Sequence, residues 1–82
     1  MALEDARQTR MIQHELCRRQ VDCSRIDVRV IHGVCYFNGQ MTRLRTHPEV
    51  DLNQEAEIIR KVVRQMPGIR DVVWEVYQRN LG

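Results

Sequence analysis

No stretch of this 82-residue chain approaches the roughly 18 consecutive apolar residues that a membrane-spanning helix needs. The opening residues, MALEDARQTRMIQHEL, place Glu4 and Asp5 ahead of any apolar run, so a secretory signal is not expected. Neither sign of charge dominates. Thirteen Lys and Arg against 11 Asp and Glu leave +2, too little to point to nucleic acid by itself. Cysteine is scarce and odd in number: Cys17, Cys23 and Cys35. An odd count with no export signal argues against a disulfide framework and for reduced thiols. Internal repeats and low-complexity segments are missing too. These absences describe a soluble, cytoplasmic, single domain over residues 1–82, with a core over about 9–77. The setting would be periplasmic if the chain is a mature or excised fragment.

What is present is a legible order of elements. Ala6, Thr9, Ile12 and Leu16 recur at helical spacing, predicting a helix from residue 4 to about 20. Glu4 and Asp5 near its start and Arg18 and Arg19 near its end suit the helix dipole. Residues 21–24 read as a connection. Ile26, Val28 and Val30 alternate with Asp27 and Arg29, as in a half-buried strand. His32-Gly33 is a hairpin turn signal, since Gly33 can take positive φ. The following strand puts Cys35, Phe37, Gly39 and Met41 on one face. Thr46-His47-Pro48-Glu49-Val50 is a loop, and Asp51 caps a second helix that runs to about Met66. Leu52, Ala56, Ile59, Val63 and Met66 are its inner stripe. Pro67-Gly68 ends it, Ile69–Tyr77 is the last strand, and Arg79–Gly82 is a short tail. The expected fold class is α+β: αββαβ, a three-stranded mixed sheet with two helices on one face, the last strand parallel to a hairpin strand.

These residues resemble the BON domain family of bacteria. Ile26–Val30 stands where the family has its valine-alternating strand. Cys35, Phe37 and Gly39 stand for the V-x-L-x-G strand, and Gly68, Ile69 and Val72 for the closing G-V-x-x-V. Ile12 and Leu16 fit the first helix, and Ala56, Ile59 and Val63 the second. The likeness covers about residues 9–76. It implies a non-enzymatic domain associated with the bacterial envelope, serving phospholipid binding or assembly, with no catalytic residues and no cofactor.

The candidate sites are weighed on spacing. His14, Cys17 and Cys23 are close in sequence, but their spacing matches no zinc pattern, and no metal is expected. Cys17 near a helix C-terminus lacks a His-Asp partner, so no cysteine catalysis is expected. The GXXG loop of KH-type RNA modules is missing, which leaves no nucleic-acid partner expected. The sheet face turned away from the helices is the informative surface. Alternation places Asp27, Arg29, Ile31, Val34, Tyr36, Asn38, Val73, Glu75 and Tyr77 there, where a solvated face should be mostly polar. Ile31, Val34, Tyr36, Val73 and Tyr77 are therefore candidate contacts for a protein partner or a second copy of the chain. Val72 and Val76 share a parity with Trp74, which predicts Trp74 packed under the first helix; at the sheet edge instead, it would join the contact surface. The alternative reading is an anionic-ligand patch of Arg43, Arg45 and His47, fitted to an anionic phospholipid surface.

Overall fold

A computed structural model describes residues 3–78. The elements run in the order α1 (Leu3–Arg18), β1 (Val21–Asp22), β2 (Ile26–Ile31), β3 (Val34–Arg43), α2 (Leu52–Arg64) and β4 (Asp71–Gln78). The fold is α+β with two helices. The expected tail Arg79–Gly82 lies outside the described residues. One expectation is corrected: the sheet has four strands rather than three, because residues 21 and 22 form a short strand and not a plain connection. β3 is the hub. It pairs antiparallel with β1 and with β2, and parallel with β4.

The extra strand has a simple geometric cause. Val21 stands opposite Arg43 and Asp22 opposite Thr42, whereas Ile26 stands opposite Gly39. Cys23, Ser24 and Arg25 thus oppose only Gln40 and Met41, so the edge strand carries one extra residue, a β-bulge. A one-residue shift exchanges the faces of a strand. Odd-numbered Val21 therefore reaches the same core as even-numbered Val28 and Val30, all of them buried. The bulge is held locally. Asp22 accepts from the Ser24 hydroxyl at 2.6 Å and from the Ser24 N–H at 2.9 Å. The Ser24 hydroxyl, then its N–H, hold the Asp22 carboxyl below the usual carboxylate range. Gly39 completes the device. Its φ is +121°, and a Cβ there would collide with the Arg25 carbonyl, which accepts from Gln40 N–H at 3.0 Å.

Burial along the strands follows the pleat. Val28, Val30, Cys35, Phe37, Met41 and Val76 point inward and meet Ile12 and Leu16 of α1 and Leu52, Ala56, Ile59 and Val63 of α2 in one core. Both helices therefore cover the same sheet face. Asp51 caps α2 by accepting from the N–H groups of Asn53 and Gln54. Arg19, just beyond α1, grips Glu55 of α2 through two bonds of 3.1 and 2.7 Å. The hairpin turn has His32 at φ 50° and Gly33 at φ 81°, the positive pair that a tight two-residue connection requires.

Polar side chains of α1 fasten it to the free edge of β2. Thr9 Oγ1 accepts from Val30 N–H at 3.1 Å, and Asp5 Oδ2 accepts from His32 N–H at 3.3 Å. Gln8 Nε2 donates to the Pro67 carbonyl at 2.9 Å. Asp5 and Gln8 are accordingly buried although polar. The helical spacing of Ala6, Thr9, Ile12 and Leu16 shows the lower half of this helix. It hides the fact that the upper half docks through hydrogen bonds.

The thiol expectation is also corrected. Cys17 and Cys23 form a disulfide, with Cα atoms 5.6 Å apart. The bulge is the reason, since it swings Cys23 back against the end of α1. The same bond removes the His14–Cys17–Cys23 grouping from consideration as a metal site. Trp74 is a third correction. It packs on Phe37, with ring centroids 5.0 Å apart, and the Arg60 guanidinium of α2 lies 5.5 Å from its ring centre. It therefore sits beside the second helix rather than under the first.

Two outcomes test this packing. Phe37 is 1% exposed, so Phe37→Ala should cost about 3–5 kcal/mol, a large part of the about 5–10 kcal/mol available to a domain of this size. A chemical-denaturation midpoint close to that of the parent would contradict the inward register. Closing a loop of sequence separation 6 should contribute about 2 kcal/mol in the chain-entropy account. Reduction, or the pair Cys17→Ser with Cys23→Ser, should lower the melting temperature by about 8–16 °C. No change on reduction would show that the bond is not formed.

Candidate interaction surface

The outer sheet face is built by register alone. Ile31 pairs with Val34, which pairs with Asp71 on β4. The next row is Arg29–Tyr36–Val73, and the next Asp27–Asn38–Glu75. Gln40 and Tyr77 form the row beyond. Neither helix covers this face, since both pack on the other. Ile31 and Tyr36 are each 41% exposed and Tyr77 is 67% exposed, while Val34 and Val73 are half-buried. An open depression of about 360 Å³ runs over Asp27, Arg29, Ile31, Tyr36, Val73 and Glu75.

The five expected contact residues are on the expected face, but they do not form one patch. Ile31, Val34, Tyr36 and Val73 occupy two adjacent rows and touch as cross-strand neighbours. Tyr77 is separated from them by the polar row of Asp27, Asn38 and Glu75. The patch is also edged by charge. Asp27, Asp71 and Glu75 outnumber Arg29, which makes the face acidic around an apolar centre. The residues that the sequence pattern could not supply are those that decide adjacency. Strand alternation gives the face, but only the pairing register gives the row.

The alternative patch is arranged differently. Arg43, at the end of β3, is half-buried and donates from Nε to the Val50 carbonyl at 2.6 Å. It ties the loop that precedes α2 back to the sheet. Arg45 is exposed, and His47 Nδ1 lies 2.9 Å from the Thr46 hydroxyl. Arg43 is thus committed to the loop, and the expected trio is not three free groups. Among the described residues, the other large exposed apolar side chains, Met11 and Val62, are on helices and isolated from the sheet face.

Burial pushes the Cys35 thiol up to about 12. Its side chain is 0% exposed and free of any disulfide. A thiol in that position is inert, and it is packing rather than chemistry. Among the described residues, no group of three or more His, Cys, Asp or Glu is placed to hold a metal ion. Among the described residues, no helix is long and apolar enough to cross a membrane.

Comparison with family models, with curated proteins and with solved structures finds no match to this chain. The class that the fold itself defines is a small α+β domain with an open, acidic-rimmed apolar sheet face.

The Cys35 environment sets a pH limit. The unfolded thiol ionises near about 8.5, whereas the folded one keeps its proton up to about 12. The unfolded chain therefore releases a proton that the folded chain retains. The stability from burying the neutral thiol is complete below about pH 8.5 and is lost progressively as pH rises toward the folded value. Cys35→Ala should flatten the decline in melting temperature above about pH 9, and a thiol reagent should modify Cys35 only as the protein unfolds. Rapid modification of the folded protein at neutral pH would contradict this.

Proposed function

We propose that this chain is a non-catalytic interaction module of the BON type that docks a protein partner through its outer sheet face. The observation that carries this reading is the contiguous group Ile31, Val34, Tyr36 and Val73, in register across three strands with no other described residue packed over it. Burying such side chains supplies about 1.5–3 kcal/mol each relative to exposure, less the entropy of association. Tyr36 is the central anchor, because it is flanked by Arg29 on one strand and Val73 on the other. The acidic rim selects a partner surface that is apolar at its centre and basic at its edge, and it works against docking on anionic lipid through this face. The Cys17–Cys23 bond supports a setting where disulfides persist, such as a bacterial envelope compartment, over the reducing cytoplasm.

Proximity labelling in source cells, with the double variant Tyr36→Lys and Val73→Lys as the comparison, tests the reading. The variant should lose the labelled partner set and keep the parent melting temperature, because both positions are outside the core. Arg43→Ala with Arg45→Ala should keep the same partners. Vesicles rich in phosphatidylglycerol should not pull down the protein. Sedimentation with those vesicles that fades with salt and vanishes in the Arg43/Arg45 variant would overturn the sheet-face reading in favour of lipid binding.

A further inference from the structure

The two layers of the domain present opposite charge at their outer surfaces. On the sheet layer, Asp27, Asp71 and Glu75 outnumber Arg29 around the apolar group. The helix layer carries Met11 and Val62, the other large exposed apolar side chains among the described residues. Both lie along the seam between the helices. Met11 of α1 and Met66, just after α2, line an open depression of about 680 Å³ that Arg7 borders. One turn on along α1 and one turn back along α2, Glu15 and Val62 line a crevice with Ile12 and Leu16. The charge beside this seam is mainly basic. Exposed Arg7, Arg10, Lys61 and Arg64 outnumber exposed Glu4 and Glu57 on the two helices. Glu15 and Glu55 are already paired, with Arg18 and Arg19.

We propose that the outer sheet face of one copy of this chain seats the α1–α2 seam of the next copy, so that copies associate head to tail. The proposal rests on the sheet-face reading and names the occupant of that face. Charge complementarity selects it. The sheet face calls for a surface that is apolar at its centre and basic at its edge, and the chain carries one on its opposite side. Sheet against sheet would bring two acidic rims together, and seam against seam two basic edges. Sheet against seam sets acid opposite base. The two surfaces differ, so the contact is heterologous and does not stop at a dimer unless the rotation closes a ring. The area is consistent with a reversible contact. The molecule measures 39 × 19 × 18 Å, so one face offers about 700 Å², a little under the about 800 Å² per partner of a standard interface.

Sedimentation equilibrium of the parent should show the average mass rising past the dimer with concentration. Tyr36→Lys with Val73→Lys blocks the sheet face, and Arg7→Glu with Lys61→Glu blocks the seam. All four positions are exposed or half-buried, outside the core. Each double variant alone should raise the dissociation constant about tenfold or more. An equimolar mixture of the two should form a heterodimer and stop there, because one supplies the seam and the other the sheet face. Adding Asp71→Lys and Glu75→Lys to the seam variant should restore self-association, which a merely misfolded variant would not do. A seam variant that dimerises as well as the parent would overturn the head-to-tail contact and assign association to paired sheet faces. A mixture that stays monomeric would overturn it too. A parent that stays monomeric at every concentration would overturn it while leaving the sheet-face reading intact, and proximity labelling would then return proteins other than this chain. Association lost in the seam variant but untouched in the sheet variant would overturn both.

Discussion

Every strand in this domain is paired to β3, and the rest of the structure depends on that one strand keeping its register. Cys35, Phe37 and Met41 face the helices, and Tyr36 and Asn38 face outward. A slip by one residue would exchange these sets and place Phe37 in water. The slip is blocked at three places. The His32-Gly33 turn fixes the hairpin end. Gly39 admits the Arg25 carbonyl where no other residue would. Gly33 O accepts from Arg70 N–H at 2.9 Å and so sets where β4 begins. The core and the outer face are two readings of one register.

The two helices are fastened by different means. α2 docks by an apolar stripe and a carboxylate cap, and it carries Arg60 over Trp74. α1 docks by Ile12 and Leu16 at its lower end and by side-chain hydrogen bonds at its upper end. The second arrangement does more than hold a helix. It takes up the Val30 and His32 N–H groups at one sheet edge.

Much of this was legible in the sequence because it depends on local patterns. The alternation around Val28 and Val30, the His32-Gly33 turn, the Asp51 cap and the stripe of α2 each occupy a few adjacent residues, and each appears where expected. The outer face followed from the same alternation. What could not be read depends on how distant segments meet. The bulge at residues 23–25 breaks the parity that would have identified Val21 as core. The Cys17–Cys23 bond is a consequence of that bulge and so was hidden with it. Trp74 went to the second helix because β4 is parallel to β3 at the far side from α1, a matter of topology. Tyr77 shares a face with Tyr36 but not a patch, because a row of Asp27, Asn38 and Glu75 separates them.

The apolar group on the outer face centres on Tyr36 and Val73, and the account rests on that part of the molecule being its working surface. Amide chemical-shift mapping over a concentration series tests it most directly. The account predicts changes at Tyr36 and Val73, answered at Met11 and Val62, with the loop that joins β3 to α2 unmoved. Changes confined to the helices, or centred on Arg45 and His47, would contradict it.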